Sequence, residues 1–313
     1  MKTAILLSYT GIGSNLLHLS YCHQIAKKYG PITIITLCKN LNQALSKDPL
    51  IKEVIYLDRY YKKLTDIFYL SNFLSTLKID NIFIFYPSIR FFLASKIAKI
   101  KNVKSYPLFK KKNLHLVNAA KKFTEKVLNI KNCPTESKIF IDKFERENAL
   151  KKIINNKKNV ILGIGSSGPS TRWGSKNFID LIKKLLEKDD FYFFLLCGQN
   201  EKEIADTIKK EIDNDYCISL DKQKISEIVP LISLADIYVG NDSFGQHVAS
   251  QCNIPSIIIM LDTPKAYSDY SINQFRILPE NINENDISHD SKFSPDSIKV
   301  EQVVEKIFSI LKL

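Results

Sequence analysis

The chain has 313 residues, of which 45% are hydrophobic and 25% are charged. These are ordinary globular values that exclude global disorder, and the length suits two domains of roughly 150 residues each. Residues 1–155 carry 27 Lys and Arg against 10 Asp and Glu, a net +17, whereas residues 156–313 carry 18 against 23, a net −5. The basic half predicts contact with nucleic acid, an anionic membrane surface or a phosphorylated substrate, or else a lysine-rich solvated surface.

The six cysteines are scattered and form no CxxC pair, so they indicate neither a zinc site nor a redox motif. Cysteines in apolar runs suggest buried thiols in a reducing cytoplasm. The N-terminal residues lack a secretory cleavage pattern, and the longest apolar run, Phe191 to Cys197, is far shorter than the roughly 20 residues of a membrane span. The expectation is a soluble or peripheral protein.

Short β-branched or aromatic runs alternate with longer amphipathic segments. In the first half the predicted strands are 4–9, 32–37, 53–57, 81–86 and 103–106, with helical segments such as 16–29 and 61–77 between them. In the second half the predicted strands are 159–164, 191–197, 216–218, 237–239, 256–260 and 275–278, separated by helices at 176–188, 201–213, 224–234 and 244–253. A polar loop at 279–295 precedes a last helical segment at 296–313.

Near-continuous apolar strands that alternate with helices predict parallel sheets covered on both faces. Two such series predict an α/β chain of two Rossmann-like, doubly wound domains that meet in the polar stretch around residues 155–158. Since open parallel sheets bind ligands beyond the carboxyl ends of their strands, the loops after strands are the candidate sites.

The loop after the first strand, residues 10–15, contains Gly11 and Gly13, which permit a tight turn and close backbone approach. It is not a GxGxxG fingerprint, because Leu16 stands where the third glycine would be. A turn that simply needs glycines explains the loop equally well.

The loop at 163–175 follows a strand and offers several hydroxyls, free backbone amides and one cation, Arg172, beside the only tryptophan, Trp173. These groups suit a diphosphate. A solvent-exposed Gly/Ser loop anchored by Trp173 is the alternative.

Two further loops carry carboxylates. Glu201 follows a strand, where a carboxylate can bond both hydroxyls of a ribose or can cap a helix. At 240–247, Asp242 can cap the next helix or accept hydrogen bonds from sugar hydroxyls, while the amides of residues 243–245 meet a phosphate. His247, as a lone histidine, is more often a packed core residue than a ligand.

The last three of these loops, read in chain order, resemble the nucleotide-sugar domain of the ADP-heptose:lipopolysaccharide heptosyltransferases, glycosyltransferase family nine. That family has a Gly/Ser-Thr loop ending in Lys-Arg-Trp-Pro, a strand followed by Gly-x-x-Glu, and Gly-Asn-Asp-Ser-Gly-x-x-His-x-Ala. Here the last motif is GNDSFGQHVASQCNIP, and the resemblance covers about residues 159–260. It implies the GT-B fold, with two Rossmann-like domains facing a central cleft.

The resemblance also implies roles for individual residues. In the donor site, Ser166 and Ser167 would contact the diphosphate, Glu201 the ribose and Asp242 the donor sugar, while the amides of Ser243, Phe244 and Gly245 would hold phosphate and His247 matches the motif histidine. Thr171 and Arg172 belong to the same donor site, where Arg172 would supply the positive charge. Gly11, Gly13 and Asn15 would form a loop on the acceptor side.

Three departures from the family pattern stand out. The Lys-Arg-Trp-Pro motif reads Thr171-Arg172-Trp173-Gly174, and Phe244 replaces the glycine after Asp-Ser. In the first loop the family has Gly-Asp, whose aspartate is the presumed general base, whereas this chain has Gly13-Ser14. A serine is no carboxylate base, so the candidates for that role are Ser14 itself and His18, one helical turn on.

The resulting hypothesis is an inverting, metal-independent transfer of a heptose-like sugar from a nucleotide diphosphate sugar, with ADP-heptose favoured, to a lipopolysaccharide or other surface-glycan acceptor. Residues 1–155 would form the acceptor domain and 156–295 the donor domain, with a helix at 296–313 that can pack back on the first domain. The basic half would face a glycolipid acceptor and the anionic inner membrane surface, through Lys110–Lys112 and Lys121–Lys122.

The hypothesis places the chain in the cytoplasm or at the periphery of the inner membrane, with no cofactor. The alternative is a non-catalytic nucleotide-sugar or glycan-binding relative that has lost the aspartate. Nucleic acid is not an expected partner, because no basic motif interleaved with aromatic residues occurs.

Overall fold

The computed structural model describes residues 1–58, 61, 63–107, 116–166, 168, 172–288, 291 and 293–313. The chain divides into two compact units, Met1–Phe140 and Ile141–Leu313. Each unit contains one parallel sheet flanked by helices, as the alternation of strands and helices predicts.

The first unit has a five-stranded sheet in the order β3-β2-β1-β4-β5, so the strand order changes direction between β1 and β4. Its strands are β1 (Thr3–Leu7), β2 (Ile32–Thr36), β3 (Ile51–Tyr56), β4 (Asn81–Ile84) and β5 (Asn102–Ser105). Its helices are α1 (Ile12–Leu16), α2 (Leu19–Tyr29), α3 (Leu41–Leu45), α4 (Asp66–Thr76), α5 (Ile89–Ile97) and α6 (Leu116–Leu128).

Both faces of the first sheet are covered, since successive side chains of β1 point to opposite faces and every residue of β1 is buried. On one face Leu6 shares a core with Leu70 of α4 and Ala94 of α5. On the other face Phe85, just after β4, lies edge-on to Phe123 of α6 with ring centroids 5.0 Å apart. Helices α4 and α5 therefore cover one face, whereas α6, packed against α2, covers the other.

The second unit has a six-stranded sheet in the order β11-β10-β9-β6-β7-β8, and its direction changes between β9 and β6. Its strands are β6 (Lys158–Gly163), β7 (Phe191–Leu196), β8 (Cys217–Ser219), β9 (Ile237–Asn241), β10 (Ser256–Ile259) and β11 (Gln274–Ile277). Its helices are α7 (Lys143–Leu150), α8 (Ser175–Leu186), α9 (Lys202–Glu211), α10 (Ile225–Ile232), α11 (Phe244–Gln251) and α12 (Val300–Leu311), with short 3₁₀ helices at Gln199–Glu201, Lys265–Tyr267, Glu284–Asp286 and Pro295–Ser297.

Helix α8 shows how sequence spacing produces this layering. Its apolar residues Phe178, Leu181, Ile182 and Leu185 recur at helical spacing and are all fully buried in the core of the second unit. Charged residues occupy the opposite face, so only one orientation of the helix on the sheet buries its apolar side.

The structure divides the chain before the predicted boundary near residue 155. Helix α7 packs against α10, and Lys152 Nζ donates a hydrogen bond to Gln223 Oε1 at 2.8 Å, so residues 141–155 belong to the second unit. The C-terminal helix α12 buries Val303 and Ile307 in the core of the second unit, where it packs against α8.

The charge asymmetry follows the structural units. The first unit carries 23 Lys and Arg against 7 Asp and Glu, and the second carries 22 against 26. All six cysteines are free thiols, and each except the half-buried Cys252 is buried. Among the residues that the structure describes, no helix combines the length and the apolar character needed to cross a membrane.

Candidate functional site

The predicted loops of the second unit gather at the carboxyl ends of β6, β7 and β9. The loop after β6 and the turn after β9 flank the point where the strand order changes direction. Such a switch point leaves a crevice at the sheet edge, which is the usual ligand position in open α/β sheets.

Glu201 is the centre of a hydrogen-bonded cluster in this crevice. Its Oε1 accepts hydrogen bonds from the Ser166 amide at 2.8 Å and from Arg172 Nη2 at 3.0 Å, and its Oε2 accepts one from the Gly198 amide at 3.0 Å. The side chains of Glu201 and Arg172 are 13% and 30% exposed, so solutes reach both. The cluster places a carboxylate and a cation side by side at the edge of the sheet.

Arg172 has more N–H donors than its contact with Glu201 uses. Its Nη2 lies 3.4 Å from the Ser166 carbonyl oxygen in addition to Glu201. Within the described residues its Nε is buried and has no hydrogen-bond partner. Since a guanidinium carries five N–H donors, Arg172 retains capacity for an anion.

Asn241, the last residue of β9, fixes both ends of the loop after β6. Its Oδ1 accepts a hydrogen bond from the Trp173 amide at 2.9 Å, and its Nδ2 donates one to the Ile164 carbonyl at 2.9 Å. Trp173 is fully buried against Phe178, and its Nε1 donates to the Ile298 carbonyl at 3.0 Å. Trp173 is therefore the anchor of the loop, as one reading of the sequence suggests, rather than a surface for ligand.

The departure at Gly174 has a backbone explanation. Gly174 adopts φ +92°, and helix α8 begins at the next residue. Proline, which the related motif carries after tryptophan, is restricted to φ near −65° and is incompatible with this conformation. The chain enters α8 through a turn that glycine alone adopts readily.

The turn after β9 leaves the N-terminus of α11 open. Ser243 is the N-cap residue, yet within the described structure no side chain caps this helix, and the Ser243 hydroxyl instead lies 3.2 Å from Tyr238 Oη. Gly245 is buried against the Tyr238 ring, where a Cβ would come within 2.4 Å of Cε2. The half-buried Phe244 begins the helix. The amides of residues 243–245 thus retain their donors for an anion.

Asp242 is half-buried beside these amides. Its Oδ1 accepts a hydrogen bond from Gln246 Nε2 at 2.8 Å. Burial raises the pKa of Asp242 to about 6; hydrogen bonds from Gln246 and Thr263 oppose the rise, and the Asp262 carboxylate adds to it. The carboxylate is therefore charged at neutral pH but incompletely solvated, which favours binding of hydroxyl donors.

His247 lies in the core behind Asp242. Its Nε2 is 3.0 Å from Gln246 Nε2, and its Nδ1 is 2.8 Å from Tyr270 Oη. Because the Gln246 amide nitrogen donates, Nε2 is the acceptor and Nδ1 carries the proton. Burial lowers the pKa of His247 to about 3, so the ring is neutral. His247 acts on the site through Gln246 rather than at the surface where a ligand would lie.

Gln246 and its neighbours are the functional residues that sequence reasoning missed. Gln246 Oε1 accepts a hydrogen bond from Gln274 Nε2 at 2.7 Å, and Gln274 Oε1 accepts from the Tyr270 and Ser271 amides. This network fixes the amide of Gln246 so that its Nε2 points at Asp242. The only sequence signal is the position of Gln246 beside the motif histidine.

In the first unit, the loop after β1 is held by Asn15. Its Nδ2 donates to the carbonyls of Tyr9 at 3.0 Å and Gly11 at 2.7 Å, and its Oδ1 accepts from Thr36 Oγ1 at 2.8 Å. The side chain is buried. Asn15 therefore shapes the loop, whereas Gly11, Gly13 and Ser14 remain accessible on it.

The structure argues against His18 as a general base. The ring is fully buried, stacks on Tyr9 at a centroid distance of 4.9 Å and meets Phe85 edge-on. Its Nδ1 donates to the Ser14 carbonyl at 2.7 Å, and its Nε2 lies 3.4 Å from Tyr106 Oη. Burial lowers the pKa of His18 to about 4, because the charged ring would be desolvated among aromatic side chains. His18, with no exposed surface, is therefore not accessible to an acceptor hydroxyl in this structure.

Of the predicted site residues, Ser166, Arg172 and Glu201 come together in one cluster, with Asp242 and Ser243 at the adjoining turn. Ser167, Thr171 and Lys110–Lys112 lie outside the described residues. In the described part of the chain, no group of three or more His, Cys, Asp or Glu side chains is placed to hold a metal ion.

Solved structures share this fold over nearly the whole chain. The E. coli ADP-heptose LPS heptosyltransferase II superposes with a TM-score of 0.77 at 16% identity, covering 100% of this chain and 99% of that one. The E. coli heptosyltransferase WaaC with ADP superposes with a TM-score of 0.72 at 13% identity, covering 99% and 100%. The fold is therefore that of the GT-B heptosyltransferases, which confirms the predicted α/β class with two parallel sheets.

Comparison of the sequence with protein-family models identifies the family. The model of glycosyltransferase family 9 (heptosyltransferase) matches residues 95–290, more than half of the chain. The chain therefore belongs to glycosyltransferase family 9. A lipopolysaccharide heptosyltransferase 1 from Campylobacter coli is 26% identical over 180 residues, 53% of this chain and 52% of that protein. The chain spans about half the length, or less, of the curated relatives it matches.

Proposed function

We propose that this protein is an inverting glycosyltransferase that moves a heptose-like sugar from a nucleotide diphosphate sugar to a lipopolysaccharide or other surface-glycan acceptor. The Glu201–Arg172 cluster at the switch point of a family 9 sheet carries the proposal. It places a carboxylate that can accept hydrogen bonds from ribose hydroxyls beside a cation that can bind phosphate. ADP-heptose is the proposed donor, supported by the relative that was solved with ADP.

The donor would be held by groups in the loops after three strands, β6, β7 and β9. The Glu201 carboxylate is already oriented by the amides of Ser166 and Gly198, so it can accept bonds from both ribose hydroxyls. Arg172 would exchange part of its contact with Glu201 for the diphosphate. Asp242 would accept hydrogen bonds from the sugar.

Transfer would break the bond between the anomeric carbon and the diphosphate oxygen while the acceptor hydroxyl oxygen attacks from the opposite side and its proton passes to solvent. Negative charge then grows on the leaving diphosphate. Arg172 and the open amides of α11 would stabilise it. These groups would stabilise the leaving diphosphate without a metal ion.

Gly165→Ala tests the role of Glu201. A Cβ at this position would lie 2.2 Å from Glu201 Oε2, whereas at Gly198 it would lie at an ordinary 3.5 Å. We expect Gly165→Ala to displace the carboxylate and to weaken nucleotide diphosphate binding about tenfold or more, since a hydrogen bond to a charged group contributes roughly 1.5–3 kcal/mol. Calorimetric titration should show nearly unchanged binding for Gly198→Ala; equal losses in both variants would contradict the assignment.

A second candidate function is that of a non-catalytic sugar-nucleotide or glycan-binding relative. The observation that favours it is Ser14, which occupies the accessible loop position of the presumed base but carries no carboxylate. Titration with several nucleotide sugars, run beside a transfer assay with lipopolysaccharide acceptors, separates the two. Binding together with transfer supports the enzyme; tight binding without transfer to any acceptor supports the binding protein.

Ser14→Asp addresses the missing base directly. We expect it to raise the transfer rate, because a positioned general base contributes about 10²- to 10⁴-fold and the half-buried Ser14 lies in α1, directly after the turn that follows β1. The matched Ser14→Asn variant, with similar size and no charge, should leave the rate at the wild-type value. Identical rates for the two variants would exclude position 14 as the base position.

The acceptor and the site of action follow from charge. We propose that the first unit, with 23 basic residues against 7 acidic, faces a phosphorylated glycolipid at the anionic surface of the inner membrane, from the cytoplasm. Of the lysines suggested by the sequence, Lys121 and Lys122 lie on α6, where Lys122 is exposed.

A further inference from the structure

Helices α4 and α5 of the first unit present apolar side chains to solvent. They pack against each other and cover one face of the sheet. Six large apolar side chains on them and at their N-terminal side are 39% to 76% exposed: Leu64, Phe68, Tyr69, Ile89, Leu93 and Ile97. We call these six residues the α4–α5 surface. Single exposed apolar residues are common, but six on two adjoining helices are an unusual concentration.

Helix α5 is apolar on both sides. Phe91 and Ala94 face the core beneath the helix. Ile89, Leu93 and Ile97 stand four residues apart and therefore form one stripe along three successive turns of the opposite side. These three side chains add nothing to the core of the unit, so packing within the fold does not account for them.

Most of the charged residues around this surface are basic, although Lys101 Nζ lies 3.7 Å from the Asp80 carboxylate. From Ile89 to Lys104 the sequence carries five basic residues and no acidic one. The single acid of α4, Asp66, is buried and accepts a hydrogen bond from the Lys63 amide. Lys96 lies over the Phe92 ring, 5.7 Å from its centroid, so its stem follows the apolar surface while its ammonium stays outside.

We propose that the α4–α5 surface docks the protein on an anionic lipid bilayer. Apolar side chains would enter the boundary between headgroups and acyl chains, and the surrounding lysines would meet the anionic headgroups. A second copy of the chain is a poor occupant, because it would bring one basic rim against another. The proposal rests on the proposed function in one respect: a glycolipid acceptor lies in such a bilayer.

The surface differs from the one that the sequence suggests. Lys121 and Lys122 belong to α6, which covers the opposite face of the same sheet. The two sets of basic residues therefore cannot meet one flat bilayer in the same orientation. Substitutions on the two helices separate the alternatives.

The test is binding of the full chain to vesicles of phosphatidylethanolamine and phosphatidylglycerol, compared with pure phosphatidylcholine. A triple variant, Ile89→Gln, Leu93→Gln and Ile97→Gln, removes the apolar stripe. A double variant, Lys96→Gln and Lys99→Gln, removes part of the rim. A matched control, Phe144→Gln with Ile272→Gln, removes two side chains that are 70% and 85% exposed in the second unit. The pair Lys121→Gln with Lys122→Gln tests α6.

Wild type should bind the anionic vesicles and not the neutral ones. The triple variant should bind them about tenfold more weakly or worse. The double variant should bind roughly thirtyfold more weakly, since each basic residue near the surface contributes about fivefold. The control and the α6 pair should bind like wild type, and all variants should unfold at the wild-type temperature because the altered side chains are exposed.

Three results would overturn the proposal. They are wild-type protein that does not bind anionic vesicles, a triple variant that binds them like wild type, and a control variant whose vesicle binding falls as much as that of the triple variant. Sedimentation of the same samples would detect self-association, and a dimer that only the triple variant dissociates would also overturn it. Nucleotide-sugar titration of each sample is independent of lipid. Vesicle binding without nucleotide binding would refute the proposed function and leave the docking surface standing.

Discussion

Replacing Arg172 with alanine is expected to lower the rate of sugar transfer by about 10²- to 10³-fold, the loss typical when a preorganised charge stabiliser is removed. Arg172 is ion-paired with Glu201, so it would lie beside a diphosphate whose ribose binds Glu201. Its removal deprives the leaving group of a positive charge. The loss should fall mainly on kcat, because charge on the diphosphate grows in the transition state.

Two variants make the Arg172 result specific. Lys176→Ala removes an exposed cation from the first turn of α8 and should leave kcat within about twofold of wild type, as distant surface charges are well screened. Arg172→Lys keeps the charge but not the planar set of donors, so it should recover only part of the rate. An Arg172→Ala enzyme with wild-type kcat would remove Arg172 from the mechanism.

Asp242→Asn is expected to weaken donor binding at pH 8 by about 10- to 100-fold, since bonds from sugar hydroxyls to a carboxylate are stronger than those to an amide. The asparagine oxygen can still accept the hydrogen bond from Gln246, so the turn after β9 should keep its shape. Because the pKa of Asp242 is raised to about 6, donor affinity of wild type should decline as the pH falls through 6. The affinity of Asp242→Asn should be nearly independent of pH in that range.

Stability supplies the control for this variant. A carboxyl group whose pKa in the folded state exceeds its ordinary value near 3.8 holds its proton more tightly when folded, so its contribution to stability is lost as the pH rises from about 4 to 6. Asp242→Asn should therefore unfold at the wild-type temperature or above it at pH 8. Reduced stability, or a pH dependence as steep as that of wild type, would contradict the assignment of the titrating group.

Nearly all of the sheet architecture could be predicted from sequence. Every predicted strand is present with bounds shifted by at most two or three residues, because short runs of β-branched and aromatic residues bounded by turns have few alternatives. Helix α5 is different. Its sequence, Ile89–Ile97, is apolar on the buried side and on the exposed side, so it lacks the periodicity by which helices are recognised.

The site was predictable where local motifs define it. The carboxylate of Glu201 and the cation of Arg172 lie in loops directly after strands, and parallel topology brings those loops to one edge. The histidines were not predictable, because burial depends on distant partners. His18 is enclosed by Phe85 and Tyr106, and His247 bonds Tyr270, which follows it by 23 residues.

The contacts of Asn241 have a thermodynamic consequence for ligand capture. One buried side chain bonds both the Ile164 carbonyl and the Trp173 amide, so the two ends of the loop after β6 are held at a fixed separation. The conformational entropy of bringing these two ends together is therefore lost when the protein folds and not when a ligand binds. Asn241, which is fully buried, thereby raises the affinity of the site for a ligand without contacting the ligand itself.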